Sequence, residues 1–165
     1  PAKGSNEDVA DKLFLSAVGF ILHHELAHIQ LRHTRTEGVD SVLNEKDADR
    51  AAAKWLLDGL DEGDKEFIQR VFGIAVALIW LASLTAYAPH SSDSHPPGYD
   101  RLYQTLSSAV DDKWHPVWGF VSIALRLHLD GSGAKFDAEQ THETPQDAVN
   151  SYCDVLSNRF RGNGK

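Results

Sequence analysis

Residues 71–88 read VFGIAVALIWLASLTAYA, and this apolar run constrains the fold more than any other stretch of the chain. From Val71 to Ala82 no polar side chain interrupts it. A run of this kind reads as a helix, either buried among other helices or in contact with a membrane. Crossing a bilayer takes about 20 apolar residues, and Ser83, Thr85 and Tyr87 dilute the run before that length is reached. Small and large side chains alternate along it, which suits close packing among other helices. The expectation is a buried central helix, with a membrane contact through 71–88 as the less favoured alternative.

The flanking sequence supplies helices to cover it. SNEDVADKLFLSAVGFILHHELAHIQLRHTR opens with Ser5 and Asp8 in capping-box spacing and continues with helical apolar spacing. TEGVDSVL is expected to be a turn-rich loop with room for one short strand, and NEKDADRAAAKWLLDGL a helix capped by Asn44 that ends near Gly59. PHSSDSHPPGYD reads as a loop. RLYQTLSSAV and DDKWHPVWGFVSIALRLHL follow as helices, the second with Pro116 in its first turn. The last helix begins at TPQD, where Thr144 caps, Pro145 takes the first position and Asp147 completes a capping box. The predicted class is mainly α: a single compact helical domain over 1–165 with little or no β-sheet.

A length of 165 residues suits one domain. The formal charge of −8 argues against a nucleic-acid partner. A single cysteine, Cys153, allows no internal disulfide and no thiolate cluster, which suits a reducing cytoplasm, with membrane association as the alternative. The chain opens PAKGSNED and contains no methionine, so a fragment of a longer chain is expected.

The chemistry concentrates in FILHHELAHIQLRH, residues 20–33. One register within it, His24-Glu25-Leu26-Ala27-His28, has the H-E-x-x-H pattern. Positions i and i+4 share a helix face, so His24 and His28 can converge on one zinc ion. Glu25 lies about 100° round the helix, where it can take a proton from a zinc-bound water. His23 points away from that face, as a packing residue or a partner to a ligand. The third histidine of a metzincin would fall at Thr34, so that subclass is excluded.

A catalytic zinc site usually has three protein ligands. Glu37, Asp40, Glu45, Asp47 and Asp49 are the candidates for the third. Glu45 and Asp49 share one helix face, which favours Glu45 as ligand and Asp49 as hydrogen-bond acceptor for a ligating imidazole. Asp49 is the alternative ligand, and Asp47 points away.

H-E-x-x-H followed by Glu45-Lys46-Asp47-Ala48-Asp49 resembles the gluzincin metallopeptidases related to HtpX and the CAAX prenyl proteases. Those proteins carry a downstream His-Pro element with an arginine six residues after the histidine, and HPPGYDR from His95 to Arg101 has that offset. The short spacing between H-E-x-x-H and the glutamate also resembles the soluble Lit-type phage-exclusion peptidases and the ImmA/IrrE regulators, and the His-Pro element favours the first group or Lit over ImmA/IrrE. The resemblance covers residues 20–106. It implies His95 as oxyanion donor and Arg101 as the partner of Glu45; Tyr99 is a separate, alternative oxyanion donor. Residues 107–165 fall outside it, and His115, His128 and His142 are expected to be structural or surface residues.

The expected function is therefore a zinc-dependent endopeptidase acting on a polypeptide, in which Glu25, His95 and Arg101 do the chemistry and His24, His28 and Glu45 hold one zinc. The sheet edge along which zincins bind an added substrate strand is not visible in this sequence. The competing reading is a non-catalytic helical module that retains the zincin scaffold and binds a protein or membrane. Glu25 argues against it, because a structural metal site has no use for a general base.

Overall fold

A computed structural model of the chain describes residues 1–33, 39–86, 98–132, 136–137 and 139–162. Among these there are six helices and no strand: α1 (Asn6–Gln30), α2 (Val39–Leu57), α3 (Lys65–Ala86), α4 (Gly98–Ala109), α5 (Pro116–Ser132) and α6 (Pro145–Gly162).

The apolar run forms α3, which occupies the middle of the assembly and touches α1, α2, α4 and α5. Val71, Ile74, Ala75, Leu78 and Ala82 are fully buried along it. Its length and apolarity would also suit a membrane span, with a mean hydropathy of 1.9 over Lys65–Leu84. Gly73 sets the approach of α3 to α1: a Cβ there would land on Ser16 Cβ and lie 3.0 Å from the Leu13 carbonyl oxygen. The two backbones come this close because neither helix has a bulky side chain at the crossing. α6 closes the other side by packing on α4 and α5, and buries Val149, Cys153 and Leu156 next to Trp118, Leu125 and Leu129.

The helix starts follow the capping chemistry in the sequence. Ser5 Oγ accepts the Asp8 amide at 3.2 Å. Thr144 and Asp147 satisfy each other reciprocally, the Asp147 amide donating to Thr144 Oγ1 at 3.2 Å and the Thr144 amide to Asp147 Oδ2 at 3.1 Å. Pro116 and Pro145 are the first residues of α5 and α6.

Two helix starts differ from expectation. α2 begins at Val39, so part of the expected loop is helical and Asn44 lies inside the helix instead of capping it. α4 begins at Gly98, three residues before the expected start. The result sets the end of α1 against α2, and the start of α4 against the same stretch of α2.

Candidate metal centre

The last turns of α1 carry His24 and His28 on one face, towards α2. Their Nε2 atoms lie 3.1 Å apart. Glu45, in the second turn of α2, presents one carboxylate oxygen to each: Oε2 is 3.5 Å from His24 Nε2 and Oε1 is 3.5 Å from His28 Nε2. The spacing can be checked against a bound ion. Ligands about 2.0–2.1 Å from a tetrahedral ion lie roughly 3.3–3.4 Å from each other, and the three separations here bracket that value. Two imidazole nitrogens and a carboxylate are also a donor set zinc accepts. Together the three residues could hold a metal ion.

The site is supported from behind. Asp49, one turn after Glu45 and only 1% exposed, lies with Oδ1 2.9 Å from His24 Nδ1. Arg101, near the start of α4, donates from Nε and one terminal nitrogen to the two oxygens of Asp49, both at 2.8 Å. Its other terminal nitrogen lies 3.0 Å from Glu45 Oε2. One guanidinium therefore bridges both carboxylates of the α2 pair, in the bidentate geometry arginine suits best. From the sequence, Arg101 is expected to pair with Glu45 alone and Asp49 with the imidazole alone. Asp49 serves both, because an ionised carboxylate has room for about four donors.

Electrostatics follow this arrangement. Burial disfavours the charged form of His24, but Asp49 and Glu45 outweigh that and lift its pKa to about 9. For His28, burial and the neighbouring His24 prevail over Glu45 and lower the value. Glu25 is exposed, on the open side of α1, close enough for its charge to be felt at His28 and Arg101. Around it, α1 turns Phe14, Leu15, Leu22, Leu26 and Ile29 outwards, each about half exposed or more.

The remaining sequence-selected residues are scattered. His95 and Glu37 lie outside the described residues. Asp47 points to solvent, 3.5 Å from Arg50. Tyr99 is buried, edge-on to His128. His23 stacks on Trp55 with ring centroids 3.5 Å apart, and its Nδ1 lies 2.7 Å from the Gly19 carbonyl oxygen. His115 caps α5, its Nδ1 accepting the Val117 amide at 3.2 Å, and His142 packs edge-on against Tyr152. One neighbour of the site was missed: Nδ1 of His33 lies 2.9 Å from Nδ1 of His28.

Comparison with known proteins places this arrangement in context. No solved structure matches the chain. Over 107 residues it is 36% identical to the cell death peptidase of Escherichia coli (strain K12), an alignment covering 64% of this chain and 36% of that protein. The chain thus spans about a third of the length of that relative. Of the groups the sequence resembles, the match supports the Lit-type peptidases. Residues 1–121, which include α1 to α4 and every residue of the cluster, match one family over most of the chain: it belongs to the peptidase U49 family.

Proposed function

We propose that this chain carries the catalytic metal site of a zinc-dependent endopeptidase acting on a polypeptide. The observation that carries the reading is the convergence of His24 Nε2, His28 Nε2 and the Glu45 carboxylate at separations of 3.1, 3.5 and 3.5 Å. Membership of a peptidase family supports the reaction class, and the printed name of the relative, a cell death peptidase, points the same way.

In this proposal His24, His28 and Glu45 hold one zinc. A bound zinc makes water acidic near neutral pH and polarises a carbonyl. Glu25 takes the proton from the attacking water on its carboxylate and returns it to the nitrogen of the leaving amine. Its exposure suits that task, since the carboxylate must meet both water and substrate. Asp49 fixes His24 so that Nε2, not Nδ1, faces the ion. Arg101 holds Glu45 and Asp49 in register and keeps the pair of carboxylates from repelling one another. His95 is assigned the oxyanion, by resemblance alone.

The test combines composition with activity. Metal content of the purified protein by plasma mass spectrometry is expected near one zinc per chain. Glu25→Gln should keep that zinc and the helical fold while peptide hydrolysis falls by a factor of about 100 or more, the range for loss of a general base. No zinc in the protein, and none taken up at neutral pH, would remove the metal-site reading. Unchanged hydrolysis in Glu25→Gln would remove the mechanism.

A further inference from the structure

We infer that His33 is a positioning residue for His28, holding its outer ring nitrogen so that the other nitrogen faces the metal site. The inference rests on the metal-site reading above and adds a residue to it.

α1 stops in a tight reversal of the chain. Arg32 has φ 55°, the left-handed conformation usually reserved for glycine after a helix. On either side of it, the His33 amide donates to the His28 carbonyl at 2.9 Å and the Arg32 amide to the Ile29 carbonyl at 3.2 Å. These are the paired bonds of a Schellman ending, in which the chain reverses over the last turn. Had the helix continued, His33 would stand five residues on, about 140° round the axis from His28. The left-handed residue instead folds it back, so that the two rings meet at 70° with centroids 5.0 Å apart.

The consequence is a division of labour between the two nitrogens of His28. Nε2 faces His24 and Glu45 at 3.1 and 3.5 Å, and Nδ1 faces His33 Nδ1 at 2.9 Å. A neutral imidazole has one donor and one acceptor. With the Nε2 lone pair directed into the site, the proton sits on Nδ1 and is donated to His33 Nδ1. His33 then keeps its own proton on Nε2. His24 is fixed by the same logic through the Asp49 carboxylate, 2.9 Å from its Nδ1. The two ligands thus have different supports: a buried carboxylate behind one and a neutral, half-exposed ring behind the other. The ring orients its ligand without adding negative charge beside Glu45 and Asp49.

The test compares the whole chain with His33→Leu and His33→Asn. Leucine fills the space without an acceptor, whereas the asparagine oxygen reproduces the position of Nδ1. Zinc affinity is measured by chelator competition, with far-UV circular dichroism to check helix content. The expected result is a loss of about 10–100-fold in His33→Leu and recovery to within a few-fold of the parent in His33→Asn. The spectroscopic signature is a ¹⁵N–¹⁵N coupling across the hydrogen bond between the Nδ1 atoms of His28 and His33 in the parent protein. Absence of that coupling, or parental affinity in His33→Leu, would overturn the inference while leaving the metal site standing. A parent protein that binds no zinc would overturn the metal-site reading, and this inference with it.

Discussion

Asp49 concentrates the energetics of the site in one side chain, meeting His24 and the fork of Arg101 while almost wholly removed from water. Removing the cation from such a group costs more than the pair contributes, because a buried charge is left uncompensated. Arg101→Met is therefore expected to destabilise the protein by about 3 kcal/mol, read as a fall in the urea midpoint. A loss below about 1 kcal/mol would place Asp49 and Glu45 in contact with water, as at an exposed pair. At this scale the H-E-x-x-H residues, Glu45 and Asp49 were legible in the sequence because helical periodicity alone aligns i with i+4. His33 was not. Five residues from His28, it faces away on any regular helix, and the left-handed turn that returns it is made by Arg32, which gives none of the signal a glycine would. His95 lies outside the described residues, so its role rests on the family resemblance alone.

At the scale of helices, the two glycines Gly73 and Gly119 make opposite predictions. A methyl group at Gly73 meets Ser16 Cβ and the α1 backbone, none of which can swing aside, whereas Gly119 has nothing within 4 Å. Gly73→Ala is expected to cost about 1–3 kcal/mol through overpacking. Gly119→Ala, in the interior of α5, should stabilise by up to about 1 kcal/mol through helix propensity alone. Thermal denaturation of the pair checks both signs. His115 gives α5 a pH-dependent start. Its pKa is lowered by burial, against the opposing pull of the Glu62 and Asp112 carboxylates. A histidine whose folded pKa is depressed contributes stability above its unfolded value of about 6.5, and that contribution is lost as pH falls. Stability should therefore decline below about pH 6.5 in the parent, and that part of the decline should vanish in His115→Asn, which accepts the same amide without titrating. The helix ends that the sequence revealed are those with capping residues, at Ser5, Pro116 and Thr144. The start of α2 was missed because a Gly-Val-Asp-Ser stretch reads as a turn.

Across the whole molecule, the candidate ligands come from two helices, with the arginine that braces them on a third. A bound ion would tie α1 to α2 directly and stabilise only the folded chain. At 100 times its dissociation constant, zinc should add about 2.7 kcal/mol. For a chain of this size, that corresponds to a rise in melting temperature of roughly 5–10 °C. Glu45→Ala should abolish most of the rise, and an equal rise in that variant would show the zinc bound elsewhere. The all-helical class was legible because helical apolar spacing and capping residues recur along the chain, and the long apolar run reads as a helix. The partner helix of each face was not, since several amphipathic segments could have covered it equally well.

The stacking of Trp55 on His23 gives this architecture an optical readout. The indole belongs to α2 and the imidazole to α1, one residue before a candidate ligand, so the ring pair spans the junction a metal would clamp. Indole emission is quenched by a stacked imidazole, more strongly when that ring is charged. The molecule thus carries an indole at the junction between the two helices that would hold the metal. With the other three of the four tryptophans replaced by phenylalanine, light emitted there would report whether zinc alters that junction, with no label attached.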